Sequence, residues 1–153
     1  MSNSRTGIVV GPGEGNALSV IGVDGGIDTY TEKVLGDSTH GAYTAMEVTM
    51  RGQGPPLHVH ADLEEAFYVV EGEVEFEVGG KTTRATPGTF ILSPRGVPHK
   101  FRLVSPEPAK LFKIISPPGF EKFFEEVDGE SDLDRIMEAS KRHSVEFLEE
   151  PPA

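Results

Sequence analysis

Cysteine is absent from the 153 residues, so the chain has no disulfide, no thiolate zinc site and no thiol nucleophile. A chain of this length needs no such staple. One domain usually takes about 100–200 residues, and at this size roughly 68–70% of the unfolded surface is buried. Basic charge is also scarce: 14 Lys and Arg stand against 25 Asp and Glu, a formal charge of −11. That balance excludes a protein that holds nucleic acid through a concentrated basic patch. Long hydrophobic runs are missing too. The longest covers five residues, Ala66–Val70, against the roughly 20 needed to span a bilayer. Met1–Gly7 has no apolar stretch of the secretory kind, and no DNA-binding segment is fused to the rest. These absences predict a cytoplasmic protein with neither a membrane nor a nucleic-acid partner.

What the chain has in quantity is glycine and proline, 18 and 12 residues, without a repeat period. Turns at that density favour many short strands over long helices. Ile8–Val10 predicts an edge strand, while the following Gly11–Gly15 lacks the strand–helix context of a phosphate loop. Leu18–Val23 and Thr29–Leu35 flank the turn residues Asp24-Gly25-Gly26. Over Tyr43–Met50, the residues Thr44, Met46, Val48 and Met50 share one face. Two strands follow within 58–78. In the second, Val74, Phe76 and Val78 alternate with Glu73, Glu75 and Glu77, which with Glu71 make a solvated row. Gly79-Gly80 signals a hairpin into Lys81–Arg84, and Thr89–Leu92, Lys100–Val104 and Ala109–Ile115 complete the strands. Beyond Pro117-Pro118 the period changes. Phe120, Phe123, Phe124 and Val127 form a helical stripe that covers the strands, and Leu133, Ile136 and Met137 form a second, with Ser131 as the expected N-cap. The tail Glu149–Ala153 is expected to fray. Some ten strands followed by two short helices predict an all-β sandwich or barrel with a helical appendage.

Three of the five histidines lie in the strand-rich middle. His58 and His60 are one residue apart, which on a strand puts both rings on one face. Glu65 follows five residues later, and His99 comes after the turn Pro94-Arg-Gly-Val-Pro98 on another strand. Polar groups aimed into a barrel are costly without a partner, and a metal ion is the simplest one. Three imidazoles and a carboxylate would leave two positions open on a six-coordinate ion. They suit Fe, Ni, Mn, Cu, Co or Zn without choosing among them. His40 and His143 are expected at the surface.

These residues stand at the spacings of two known motifs. Gly52, His58, His60, Glu65 and Gly72 match G-x5-H-x-H-x3/4-E-x6-G. Gly88, Pro94, Gly96 and His99 match G-x5-P-x-G-x2-H-x3-N, with Leu103 in place of the final Asn and expected to pack in the core instead. On nine fixed positions, the chain resembles the cupins over about residues 42–116. Gly36–Tyr43 and Ile115–Phe124 resemble the small quercetinase-like branch.

The resemblance implies a double-stranded β-helix, a jelly-roll barrel with short C-terminal helices and the metal inside. It divides one domain into N-terminal strands (1–35), cupin barrel (36–118) and C-terminal helical appendage (119–153). It implies His58, His60, Glu65 and His99 as ligands to one divalent transition-metal ion per chain, and a homodimer. Glu64 also fits the carboxylate position. Strand phase favours Glu65, which shares an inward face with Phe67 and Val69, and leaves Glu64 solvated or paired with a cation. Met46, Met50, Phe67, Phe76 and Phe101 are expected to pack or line the interior as walls of a small-molecule substrate pocket. The expected activity is that of a metal-dependent dioxygenase acting on a small aromatic or enolisable compound, with Glu65 as catalytic base. Two alternatives stand beside it: a non-redox polyketide cyclase, isomerase or lyase that uses the ion as a Lewis acid in the same site, and a cupin that binds a small molecule without turnover.

Overall fold

The structure, a computed structural model, describes residues 6–149. Among the described residues, eleven strands fall into two antiparallel sheets. In chain order these are β1 (Asn16–Ile21), β2 (Ile27–Val34), β3 (Thr44–Met50), β4 (His58–Val59), β5 (Glu64–Glu71), β6 (Val74–Val78), β7 (Lys81–Ala85), β8 (Phe90–Ser93), β9 (His99–Leu103), β10 (Ala109–Ser116) and β11 (Glu146–Phe147). The first sheet runs β1-β2-β3-β10-β5-β8 and the second β11-β4-β9-β6-β7. Two helices, α1 (Glu121–Glu126) and α2 (Leu133–Ser140), lie between β10 and β11. This is the all-β double-stranded β-helix that the alternating pattern and the motifs predict.

The core sits between the sheets because each contributes one apolar face. Thr44, Met46, Val48 and Met50 of β3 point inward, as do Ala109, Leu111 and Ile115 of β10. Phe67 of β5 packs on Phe76 of β6 and Phe101 of β9, with ring centres 5.1 and 5.3 Å apart, which ties the two sheets together. Leu103, where the motif has Asn, packs against this core. The glutamate row of β6 faces out, as its alternation predicts, but it is also paired. Arg102 donates to both carboxylate oxygens of Glu75 at 3.0 Å, and Arg84 pairs with Glu73. Two glycines are required by close approaches. A Cβ on Gly54 (φ +74) would lie 2.1 Å from the Phe101 carbonyl oxygen, and one on Gly72 (φ +76) would lie 2.8 Å from Ala109 Cα.

Four local expectations are corrected. Ile8–Val10 is no strand; Val9 is 94% exposed and the segment has no pairing partner. The cap of α2 is Asp132, not Ser131: Asp132 has the extended backbone of a cap, and its Oδ1 accepts the Asp134 N–H at 2.9 Å. The C-terminal appendage is not purely helical, since β11 pairs antiparallel with β4, Phe147 opposite His58. Glu149 is not frayed. It accepts the Leu57 N–H at 3.0 Å and pairs with Lys100 at 3.1 Å, while the rest of the expected tail lies outside the described residues.

Candidate metal centre

Register brings the motif residues together. His58 on β4 stands directly opposite His99 on β9. Glu65 on β5 stands opposite Ser93 on β8 and Ile115 on β10. His60 follows β4 immediately, and its carbonyl accepts the Gly96 N–H at 2.7 Å, which holds the turn ahead of His99 against it. One ligand atom from each of His58, His60, Glu65 and His99 lies within 4.8 Å of all the others, and all four side chains are buried. Glu64 points away, half-exposed, with Arg95 at 3.2 Å.

Each imidazole is held by its outer nitrogen. His58 Nδ1 donates to the Pro56 carbonyl at 2.9 Å and His60 Nδ1 to the Ser144 carbonyl at 2.5 Å, while His99 Nδ1 meets the Ser93 hydroxyl at 2.7 Å. Such outer contacts orient metal-binding imidazoles and set which nitrogen is free. A hydroxyl can donate or accept, so His99 can carry its proton on Nε2 and donate to Glu65 Oε1 at 3.1 Å. The Ser144 carbonyl only accepts. With its Nδ1–H given to the Ser144 carbonyl, His60 turns Nε2 toward Glu65 Oε1, 2.8 Å away, and among the described residues that nitrogen makes no hydrogen bond. Two buried acceptors in contact call for a cation between them. Three nitrogen donors and one carboxylate oxygen, with that orphaned nitrogen, fit a divalent transition-metal ion.

Burial and the neighbouring His99 hold His58 neutral, its pKa lowered to about 3, and a metal ligand must be neutral imidazole. For Glu65, burial pulls the carboxyl upward, but the Lys113 ammonium beside it outweighs that and holds the acid well below the usual range. Lys113 is absent from both motifs. It is 3% exposed, and its Nζ lies 2.5 Å from Glu65 Oε2 in an ionic contact off the hydrogen-bonding line. A signal for it exists in the sequence: on β10 it takes the inward phase of Ala109, Leu111 and Ile115, where a lysine is out of place without a partner.

A cavity of about 70 Å³ adjoins this cluster between the sheets and the C-terminal helices. Its rings are Tyr30, Phe101, Phe120, Phe123, Phe124 and Phe147, and its polar side chains include His58, Asp28 and Lys113. Of the five expected pocket residues only Phe101 lines it. Met46, Met50, Phe67 and Phe76 are sealed in the core between the sheets, because the interior end of the barrel is packed solid and the open space lies under α1 and α2. The helical aromatics Phe120, Phe123 and Phe124, expected to cover the barrel or serve as a lid, are cavity walls. Phe120 also stands edge-on to His60, ring centres 4.5 Å apart. His40 is exposed, and His143 pairs with Glu126 at 3.2 Å, away from the cluster.

Residues 45–115 match the family model of the cupin domain. Over 55 residues, 36% of this chain and 16% of the relative, the sequence is 34% identical to a quercetin 2,3-dioxygenase of Bacillus subtilis. Over 93 residues, 61% of this chain and 60% of the relative, it is 29% identical to the polyketide synthase CurC of Streptomyces cyaneus. The chain thus spans less than two thirds of the length of these curated relatives. Among solved structures it is similar to one from Thermotoga maritima described as a predicted oxalate decarboxylase. The TM-score is 0.65 with 19% identity, covering 71% of this chain and 97% of the other, a likeness of fold.

Proposed function

From the premise that this chain belongs to the cupin superfamily, we propose that it is a metal-dependent dioxygenase acting on a small aromatic or enolisable substrate. The observation that supports this reading is that His58 of the three-histidine, one-glutamate cluster lines a cavity walled by aromatic rings. His58, His60, His99 and Glu65 would hold the ion, which supplies Lewis acidity toward a substrate hydroxyl and a redox centre for oxygen. The chain's own residues bind, orient and deprotonate. The six rings take a flat apolar body and exclude water from it. Glu65, held as a carboxylate, accepts the hydroxyl proton on Oε1. A substrate of that class is larger than this cavity of about 70 Å³, so its entry requires the walls to give way.

Oxygen uptake tests the reading: protein loaded in turn with Fe, Ni, Mn, Cu and Co, against a panel of flavonols, phenols and diketones. Consumption of O₂ that depends on both metal and substrate supports it, and none with any pairing ends it. The similarity to CurC favours a second reading, non-redox chemistry in the same cavity. Turnover by zinc-loaded protein under strict anaerobiosis would select it. The homodimer belongs to the same proposal, with the outer face of three adjacent strands as its interface. Phe112, Tyr68 and Phe90 stand in one cross-strand row there, and all three are exposed.

A further inference from the structure

We propose that Lys113 is the anion-binding residue of this cavity, and that the ligand carries a carboxylate, phenolate or enolate oxygen on its flat apolar body. The inference rests on the cavity assigned above. Lys113 lines that cavity, and its Nζ stands 4.8 Å from the ring centre of Phe124 and 5.3 Å from that of Tyr30, two of the cavity walls. A third ring, Phe67, lies 5.4 Å away on the core side. An ammonium has three N–H donors. Among the described residues the one acceptor at Nζ is Glu65 Oε2, and that contact is off line. The remaining donors face aromatic rings, which attract a cation but do not replace an oxygen acceptor.

Charge points the same way. Among the described residues, Lys113 is the sole Lys or Arg lining the cavity. Asp28, the carboxylate on that wall, is turned to the backbone: its Oδ1 accepts the N–H groups of Arg51 and Gly52 at 2.7 and 2.9 Å. Lys113 already cancels the charge of Glu65. A divalent ion at the histidine cluster would therefore leave the buried site with net positive charge, which is costly in apolar surroundings until an anion completes it. An oxyanion on Nζ supplies that charge and fills the vacant donors. The geometry makes Lys113 a specificity residue that separates an ionised ligand from its neutral isostere.

Benzoate and benzamide have the same shape and differ in charge. Their affinities for the zinc-loaded and the metal-free protein are to be read by NMR titration, for wild type and for Lys113→Gln and Lys113→Arg. The expected result is at least a tenfold preference for benzoate in the wild type. K113Q loses that preference in both metal states, through a weaker benzoate complex. K113R restores it. Because K113Q leaves Glu65 uncompensated, a cost that can unfold the variant, the wild type is also labelled with ¹³Cε-lysine: benzoate shifts the Lys113 resonance and benzamide does not. Equal affinities, a preference that survives K113Q, or an unmoved Lys113 resonance would overturn the proposal. Retained benzamide binding would then leave the cavity standing as a ligand site. Failure of both probes to bind would remove the cavity assignment itself.

Discussion

Ser93 Oγ is 2.7 Å from His99 Nδ1, and both side chains are buried. When an ion takes Nε2, the His99 proton must sit on Nδ1, and the Ser93 hydroxyl is what accepts it. Ser93→Ala leaves that N–H buried without a partner and the ring free to turn. Zinc affinity, measured by chelator competition, should fall about 10–100-fold with the fold intact by circular dichroism. Unchanged affinity would mean that strand packing alone orients His99. At this scale the four donors were legible, because the motif spacing and the strand phase both name them, Glu65 over Glu64 included. Their supports were not. Ser144 reaches His60 from 84 positions away with no local pattern to record it, and the inward phase of Lys113 on β10 marks a buried lysine without naming Glu65 as its partner.

The elements divide in the same manner. β3 and β6 announce themselves by alternation, since a sheet with one buried face imposes a period of two. The stripe of Phe120, Phe123, Phe124 and Val127 likewise marks α1, all four buried. β11 has two residues and no period to show; it exists because β4 offers an open edge beside it. The cap of α2 was misplaced by one residue because Ser131 and Asp132 are both good caps and only backbone conformation chooses between them. Asp132→Ala should destabilise the protein by about 1 kcal/mol in urea unfolding. An Ala at Ser131 should cost far less, since its side chain takes no part in the cap. The reverse ranking would return the cap to Ser131.

Across the whole molecule, the buried cluster couples stability to pH. His58 titrates near 6.5 when unfolded and at about 3 in the fold. Between those values the unfolded chain binds more protons, so stability falls as pH falls, by roughly 1.4 kcal/mol per unit from this group. Glu65, also depressed, adds to the loss in the same direction below its ordinary 4.5. The metal-free protein should be most stable above about pH 7 and lose stability steeply from pH 6.5 toward 3 in urea titrations at fixed pH steps. His58→Phe should flatten the upper part of that slope. A flat profile in the wild type would show that His58 is not buried in its neutral form.

By itself the sequence determined the architecture and the donor set. A period of two, frequent Gly and Pro turns, and nine spaced motif residues are local properties, and the physics that reads them, strand alternation and backbone freedom, acts over a few residues. The tertiary structure alone decided where a ligand can go. Space in a folded protein is what packing leaves over, so the inward-facing Met46, Met50, Phe67 and Phe76 became sealed core. The residual cavity opened beneath the C-terminal helices, with His58 and Lys113 on its wall. Which inward residue meets a void and which meets another side chain depends on contacts across the whole fold, and those exist only once both sheets and the helices are in place.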